Sequence, residues 1–143
     1  MRTTIINKKS EIKPKWFIID ADNKPIGRLA SKVATLLRGK WRANYSPDTF
    51  FGDHVIVINS DKAILTGRKT LDKVYYHHTG WMGGIKETPF LEMKEKHPDM
   101  PIKKAVWGML PKNRIGRKMY LSLKVYSDEN HPHIAQKPEK IDL

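Results

Sequence analysis

The sequence predicts an α/β fold, and three segments predict it. Trp16-Phe17-Ile18-Ile19-Asp20 is an unbroken apolar run closed by a carboxylate, the pattern of a strand buried on both faces of a parallel sheet. After it, Ile26, Leu29, Ala30, Val33, Leu36 and Leu37 recur at helical spacing, with Pro25 suited to a first helical turn and Gly39 to a C-terminal stop. Val55-Ile56-Val57-Ile58-Asn59 is a second buried strand, and strand, helix, strand in that order makes a right-handed crossover unit. Between helix and second strand, Trp41 to Pro47 mixes bases, aromatics and turn formers and reads as an exposed loop.

Downstream, Ala63-Ile64-Leu65 reads as a short extended piece and Gly67 to Lys73 as one or two helical turns. Val74-Tyr75-Tyr76-His77-His78 is built of strand-forming residues and runs into the glycine-rich stretch Thr79 to Lys86, which reads as a loop. Thr88-Pro89 opens a helix that carries Phe90, Leu91 and Met93 to about Lys96. Pro98 ends it, Pro101 to Leu110 forms another, and Pro111 breaks the chain. Arg117 to Leu121 is a helical turn, Leu123 to Tyr126 a last strand, and Glu129 to Leu143 an extended tail. With no internal repeat or boundary, residues 1–143 read as one domain, long enough to bury roughly 68% of the unfolded surface.

Composition excludes several classes of function. No segment approaches the roughly 20 apolar residues of a membrane span. Met1 to Lys9 has basic residues but no apolar run of signal-peptide length behind them, so secretion is not expected. The absence of cysteine removes disulfides, thiolate metal sites and cysteine nucleophiles. Lys and Arg number 27 against 15 Asp and Glu, a net charge of +12, which suits a chain whose usual neighbour is a polyanion. The signs are also segregated. No acid stands between Asp22 and Asp48, where Lys24, Arg28, Lys32, Arg38, Lys40 and Arg42 lie. None stands between Asp99 and Asp128, which enclose Lys103, Lys104, Lys112, Arg114, Arg117, Lys118 and Lys124. Two such windows in one short chain suit the footprint of a phosphate backbone better than the alternative, a solvated basic face.

Enzymatic readings fare worse. Gly80, Gly83, Gly84 and Lys86 imitate a phosphate-cradling loop, but such a loop needs Gly and Lys adjacent with Ser or Thr next; here Ile85 intervenes and Glu87 follows. His77-His78 and His131-Pro132-His133 are the histidine clusters, and neighbours on a regular strand point to opposite faces, so His77 and His78 cannot chelate one ion together. No metal, cofactor or catalytic residue is therefore assigned. Asp20 suits capping of the turn after its strand better than acid–base chemistry. Aromatics interleave with bases at Arg38 to Arg42, Tyr75 to Trp81 and Trp107 to Tyr126, as where cations hold phosphates and rings stack on splayed bases. Trp41 is the better stacking candidate, and Trp107 the better core candidate. The competing hypothesis is an α/β nucleotide-binding enzyme using the crevice near Asp20 and Gly80; dispersed basic windows suit a large polyanion better than a focused pocket. A third reading, a free regulator of messenger RNA, uses the same surface.

Several blocks carry a resemblance. Trp16 to Asp20 with Ile26-Gly27-Arg28-Leu29-Ala30-Ser31 and Leu37-Arg38-Gly39-Lys40, then Gly52 to Asn59, Lys73 to Gly80, Gly83 to Lys86, Val106-Trp107-Gly108-Met109-Leu110-Pro111, Gly116-Arg117, Leu123 to Tyr126 and His131 to Gln136 are similar, in order, to the bacterial-type large-subunit ribosomal protein thirteen family. The resemblance covers nearly the whole chain and is loosest at Trp81-Met82 and Trp107. It implies a three-layer α/β/α domain around a mainly parallel four-stranded sheet, with basic loops and an extended C-terminal tail. It further implies a non-catalytic structural constituent of the large ribosomal subunit, acting in early assembly as a monomer in a cytoplasmic or organellar ribosome. The partners implied are 23S-type ribosomal RNA and neighbouring ribosomal proteins, without a membrane. The residues assigned to RNA are Arg28, Lys32, Arg38, Lys40, Trp41 and Arg42, then Arg68 and Lys69, then His77, His78, Thr79, Gly80, Gly83, Gly84 and Lys86. Lys112, Arg114, Arg117 and Lys118 complete the set as one phosphate clamp, with Asn113 and Gly116 shaping its turn.

Overall fold

A computed structural model describes residues 12–142; the expectation for Met1 to Lys9 falls outside them. Strand β1 (Trp16–Asp20) leads into helix α1 (Ile26–Leu37) and returns through β2 (His54–Ile58), which pairs with β1 in parallel from Trp16 opposite His54 to Asp20 opposite Ile58. The remaining elements are α2 (Lys69–Asp72), β3 (Val74–His78), β4 (Ile85–Pro89), α3 (Phe90–Lys96), α4 (Met100–Met109), α5 (Arg114–Leu121), β5 (Leu123–Val125) and β6 (Glu139–Lys140). The main sheet has the order β5-β2-β1-β6 with every pairing parallel.

Phe17 and Ile19 of β1 and Val55 and Val57 of β2 point to one face of the sheet. There they meet Leu29, Val33 and Leu37 of α1, Ile102 and Val106 of α4, and Met119 of α5 in one buried cluster. Burial of such aliphatic side chains stabilises by about 1.5–3 kcal/mol each. On the other face, Trp16 stacks on His54 with ring centroids 4.1 Å apart, and His133 of the C-terminal segment tilts onto Trp16 at 5.1 Å. The arrangement is thus the expected α/β/α layering around a parallel four-stranded sheet, with its second outer layer thin and supplied by the C-terminal segment, including a single 3-10 turn at Ile134–Gln136.

Several boundaries differ from the sequence reading: β2, α4 and β5 by one residue at one or both ends, and four others for a local reason. Pro25 precedes the helix with ψ of 125°, so α1 starts at Ile26. The glycine-rich loop is shorter than expected, because Ile85 to Pro89 pair with Val74 to His78 in an antiparallel hairpin; Thr88 and Pro89 belong to that strand, and the helix begins at Phe90. The helical turn at Arg117 extends back to Arg114, where the Asn113 side chain accepts the Gly116 N–H at 2.8 Å and caps the first turn. The tail is not wholly extended: Glu139 and Lys140 add β6 beside Phe17 and Ile18, locked by the Ile141 N–H donating to the Ile18 carbonyl at 2.9 Å. The remaining short elements are a 3-10 turn at Ser60–Lys62, a single turn, α2, and a bridge between Ile64 and Pro25.

Candidate nucleic-acid interface

Helix α1 buries Leu29, Val33, Leu36 and Leu37 and leaves Arg28, Ser31, Lys32 and Thr35 outward. Its end is set by Gly39, whose φ of +73° lets the Gly39 N–H reach the Leu36 carbonyl at 2.9 Å and the Lys40 N–H reach Thr35 at 3.1 Å. A Cβ at Gly39 would also stand 2.6 Å from the Phe51 ring. This stop turns Arg38 and Lys40 back along the outer face of the helix.

Beside that face runs a groove of about 760 Å³, walled by α1, the chain from Ile64 through Tyr75, and α4. Arg28, Lys69, Lys73 and Lys104 line it, and no carboxylate does. Lys73 Nζ and Lys104 Nζ stand 5.1 and 4.8 Å from the centroid of the Tyr75 ring, so two elements distant in sequence hold their ammonium groups over one aromatic. Burial pushes the Tyr75 phenol up, keeping it a neutral donor. A smaller recess lined by Ser31, Thr35, Arg38 and Lys40 shares Met109 with the groove and extends it along α1.

The β3–β4 hairpin carries the track further. Tyr75, His77, Lys86 and Thr88 occupy directly opposed positions and so share one face, the face by which Tyr75 enters the groove. His78 points the other way, and its Nδ1 accepts the Gly80 N–H at 3.0 Å. Thr79, Gly80, Gly83 and Gly84 build the tip, closed by the Thr79 N–H on the Gly84 carbonyl at 2.9 Å and the Gly84 N–H on the Trp81 carbonyl at 2.9 Å.

Arg28 and Lys69 thus line the groove, and Arg38 and Lys40 line the recess beside it, where Arg38 Nη2 also donates to the Tyr45 hydroxyl at 3.1 Å; His77 and Lys86 share the hairpin face that bears Tyr75. Lys32 and Arg68 are exposed beside the groove. Arg42 is placed otherwise: its Nε and Nη2 donate to both oxygens of the fully buried Asp53 at 3.1 and 2.6 Å, and Nη2 also reaches the Lys13 carbonyl at 2.8 Å. Trp41 donates its Nε1–H to the same carboxylate at 3.2 Å and sets its ring edge-on to Phe17. The expected exposed loop is therefore pinned from inside by one acid. On α5, Arg114, Arg117 and Lys118 are exposed, while Lys112 lies over the Trp107 ring at 4.2 Å and donates to the Trp107 carbonyl. Gly116 is buried against Pro111, whose carbonyl oxygen would lie 1.8 Å from any added Cβ.

Sequence reasoning did not assign Lys73, Tyr75 or Lys104 to the site. Lys104 was visible as a member of the second acid-free window; its meeting with Tyr75 depends on the packing of α4 beside the hairpin. Asp20 accepts the Asn59 amide at 2.9 Å, the main cause of its lowered carboxyl pKa, and the Asp22 N–H at 3.0 Å, which commits it to the turn. Among the described residues no cluster of three or more His, Asp or Glu is arranged to hold a metal, and no helix is long and apolar enough to cross a membrane.

Known proteins similar to this chain are large-subunit ribosomal proteins. The large ribosomal subunit protein uL13 of Thermotoga petrophila is 52% identical over 142 residues, covering 99% of this chain and 95% of that protein. The uL13 proteins of Geobacillus kaustophilus and Geobacter sulfurreducens are 50% and 49% identical over 143 residues, covering the whole of this chain and 99% and 100% of theirs. Residues 14–132, from the approach to β1 past the end of β5, match the family described as ribosomal protein L13. With half of all positions identical across the full span of the fold, the chain belongs to the ribosomal protein L13 family.

Proposed function

We propose that this protein, acting as a single domain and a monomer within the cytoplasmic ribosome, binds 23S-type large-subunit ribosomal RNA and supports early assembly of that subunit. Membership of the family makes it a structural ribosomal protein of the large subunit and not an enzyme. The observation that carries the finer reading is the acid-free groove in which Arg28, Lys69, Lys73 and Lys104 converge from three elements. A polyanion is the ligand such a track suits, because each phosphate it neutralises releases condensed counterions, and shape is read more than sequence. Arg114, Arg117 and Lys118 on α5 form a second phosphate contact, and neighbouring ribosomal proteins take surface the RNA leaves free.

The test is binding of the full chain to transcribed 23S-type RNA across a salt series. About seven phosphate contacts should give a slope of log K against log salt near −5, at roughly −0.7 per contact. Replacing the exposed Arg28, Lys40 and Lys69 together with Ala should make the slope shallower by about 2, at the same increment per contact, while leaving the melting temperature unchanged. A flat salt dependence, or a slope indifferent to these three residues, refutes the reading.

A further inference from the structure

We propose that Trp81 and Met82, at the tip of the β3–β4 hairpin, form a wedge that stacks on unpaired nucleobases of the bound RNA. The inference rests on the RNA-binding reading above and adds to it a contact that reads bases where the groove reads phosphates.

Trp81 is 80% exposed and Met82 fully so, an unusual placement for two large apolar side chains that cover no core. The turn that bears them is closed by its own backbone hydrogen bonds. The tip hydrogen bonds between Thr79, Gly84 and Trp81, with the Gly80 N–H on His78, fix the turn that presents them. An ordered turn spares the backbone share of the ordering cost when the ring stacks. Methionine beside it supplies a flexible, polarizable group that adapts to an aromatic face.

The surroundings name the occupant. From Lys73 to Lys86 there is no carboxylate, so the hairpin tip itself brings no like charge against a phosphate. His77 and Lys86, opposed across the hairpin, carry the cationic track from Tyr75 toward the tip. A strand lying on that track reaches the tip with its backbone already held, and only the bases remain to be met. The hairpin's other face carries Tyr76, His78, Ile85 and Glu87, where His78 is turned to the Gly80 N–H and the acid disfavours a polyanion. A duplex hides its base faces within the stack, whereas an unpaired nucleotide offers one to a planar side chain.

The experiment measures the full-length protein against two probes at one salt concentration, a 12-nucleotide oligoadenylate and a 12-base-pair RNA duplex. Trp81→Ala should weaken oligoadenylate binding by roughly 5- to 150-fold, the range for losing one stacked base, and duplex binding by less than about twofold. The salt slope should not change. Trp81→Phe should retain most of the affinity and Trp81→Leu should lose it, which separates stacking from general apolarity even if the alanine variant folds poorly. Equal loss on both probes, or loss on neither while the salt-dependent affinity persists, overturns the wedge and leaves the phosphate track standing. Normal binding of both probes by a Trp81→Ala protein that no longer enters large subunits assigns the tip to a protein neighbour and also overturns it. Failure of the wild-type chain to bind either probe removes the RNA reading itself.

Discussion

Replacing Asp53 tests the proposition that Arg42 belongs to the fold and not to the interface. The carboxylate is completely buried and accepts four hydrogen bonds, from the Lys15 backbone, Trp41 Nε1 and two Arg42 nitrogens, the shortest at 2.6 Å; the Arg42 side chain is only 15% exposed. Removing one partner of a buried ion pair strands the other charge, at a cost of about 3–5 kcal/mol. For a chain of this length each kcal/mol lowers the melting temperature by roughly 2–4 °C, so Asp53→Ala should melt about 6–20 °C lower. Arg42→Ala should fall in the same direction, leaving the carboxylate buried with its Trp41 and Lys15 donors. The double variant Arg42→Met/Asp53→Leu should recover much of the loss, because it removes both charges and their desolvation together. Thermal melts followed by circular dichroism give all four values, and the salt slope of RNA binding, measured below every melting transition, should be unchanged in Arg42→Ala. An Arg42→Ala protein that melts like the wild type but binds with a shallower slope would falsify the argument and return this arginine to the phosphate contacts.

Gly116→Ala places a Cβ at 1.8 Å from the Pro111 carbonyl oxygen, a backbone atom that cannot step aside, and should destabilise by about 1–3 kcal/mol or more, read by denaturant titration. Arg114→Ala/Arg117→Ala, by contrast, should alter folding by no more than about 0.5 kcal/mol per site while making the RNA salt slope shallower by roughly 0.7–0.9 per residue; a normal melt with wild-type salt sensitivity refutes the α5 contact. Acid should loosen the C-terminal layer. Burial holds the His54 imidazole below its ordinary value of 6.5, helped by Lys124 and His133 and opposed by Asp53, while burial with His131 and Lys124 lowers His133 likewise. The unfolded chain therefore binds more protons in this range. Stability is complete above about pH 6.5 and declines as pH falls through 6.5 toward the lowered folded values. Melts between pH 8 and 5 should show that decline, and His54→Phe should flatten it.

Where physics is local, the sequence alone determined the outcome. The apolar runs of β1 and β2 and the stripe of α1 admit one arrangement, since each can bury its side chains only as a strand or helix of that length, and Gly39 stops the helix where a positive φ is required. The excess of cations and its two acid-free windows are equally properties of the chain, and so is the absence of the residue spacing that phosphate hydrolysis requires. Tertiary structure decided what long-range partners control. Glu139 and Lys140 contain no strand signal of their own and become β6 only because β1 offers an unpaired edge. Arg42 reads as one more cation in a basic loop until β2 brings the buried Asp53 beneath it. Lys73 and Lys104, thirty-one positions apart, become one cationic groove only when α4 packs beside the β3–β4 hairpin and sets both ammonium groups over Tyr75. Periodicity and turn chemistry act within a few residues and are written in order along the chain, whereas which charge is neutralised inside and which is left for a ligand depends on neighbours that only folding supplies.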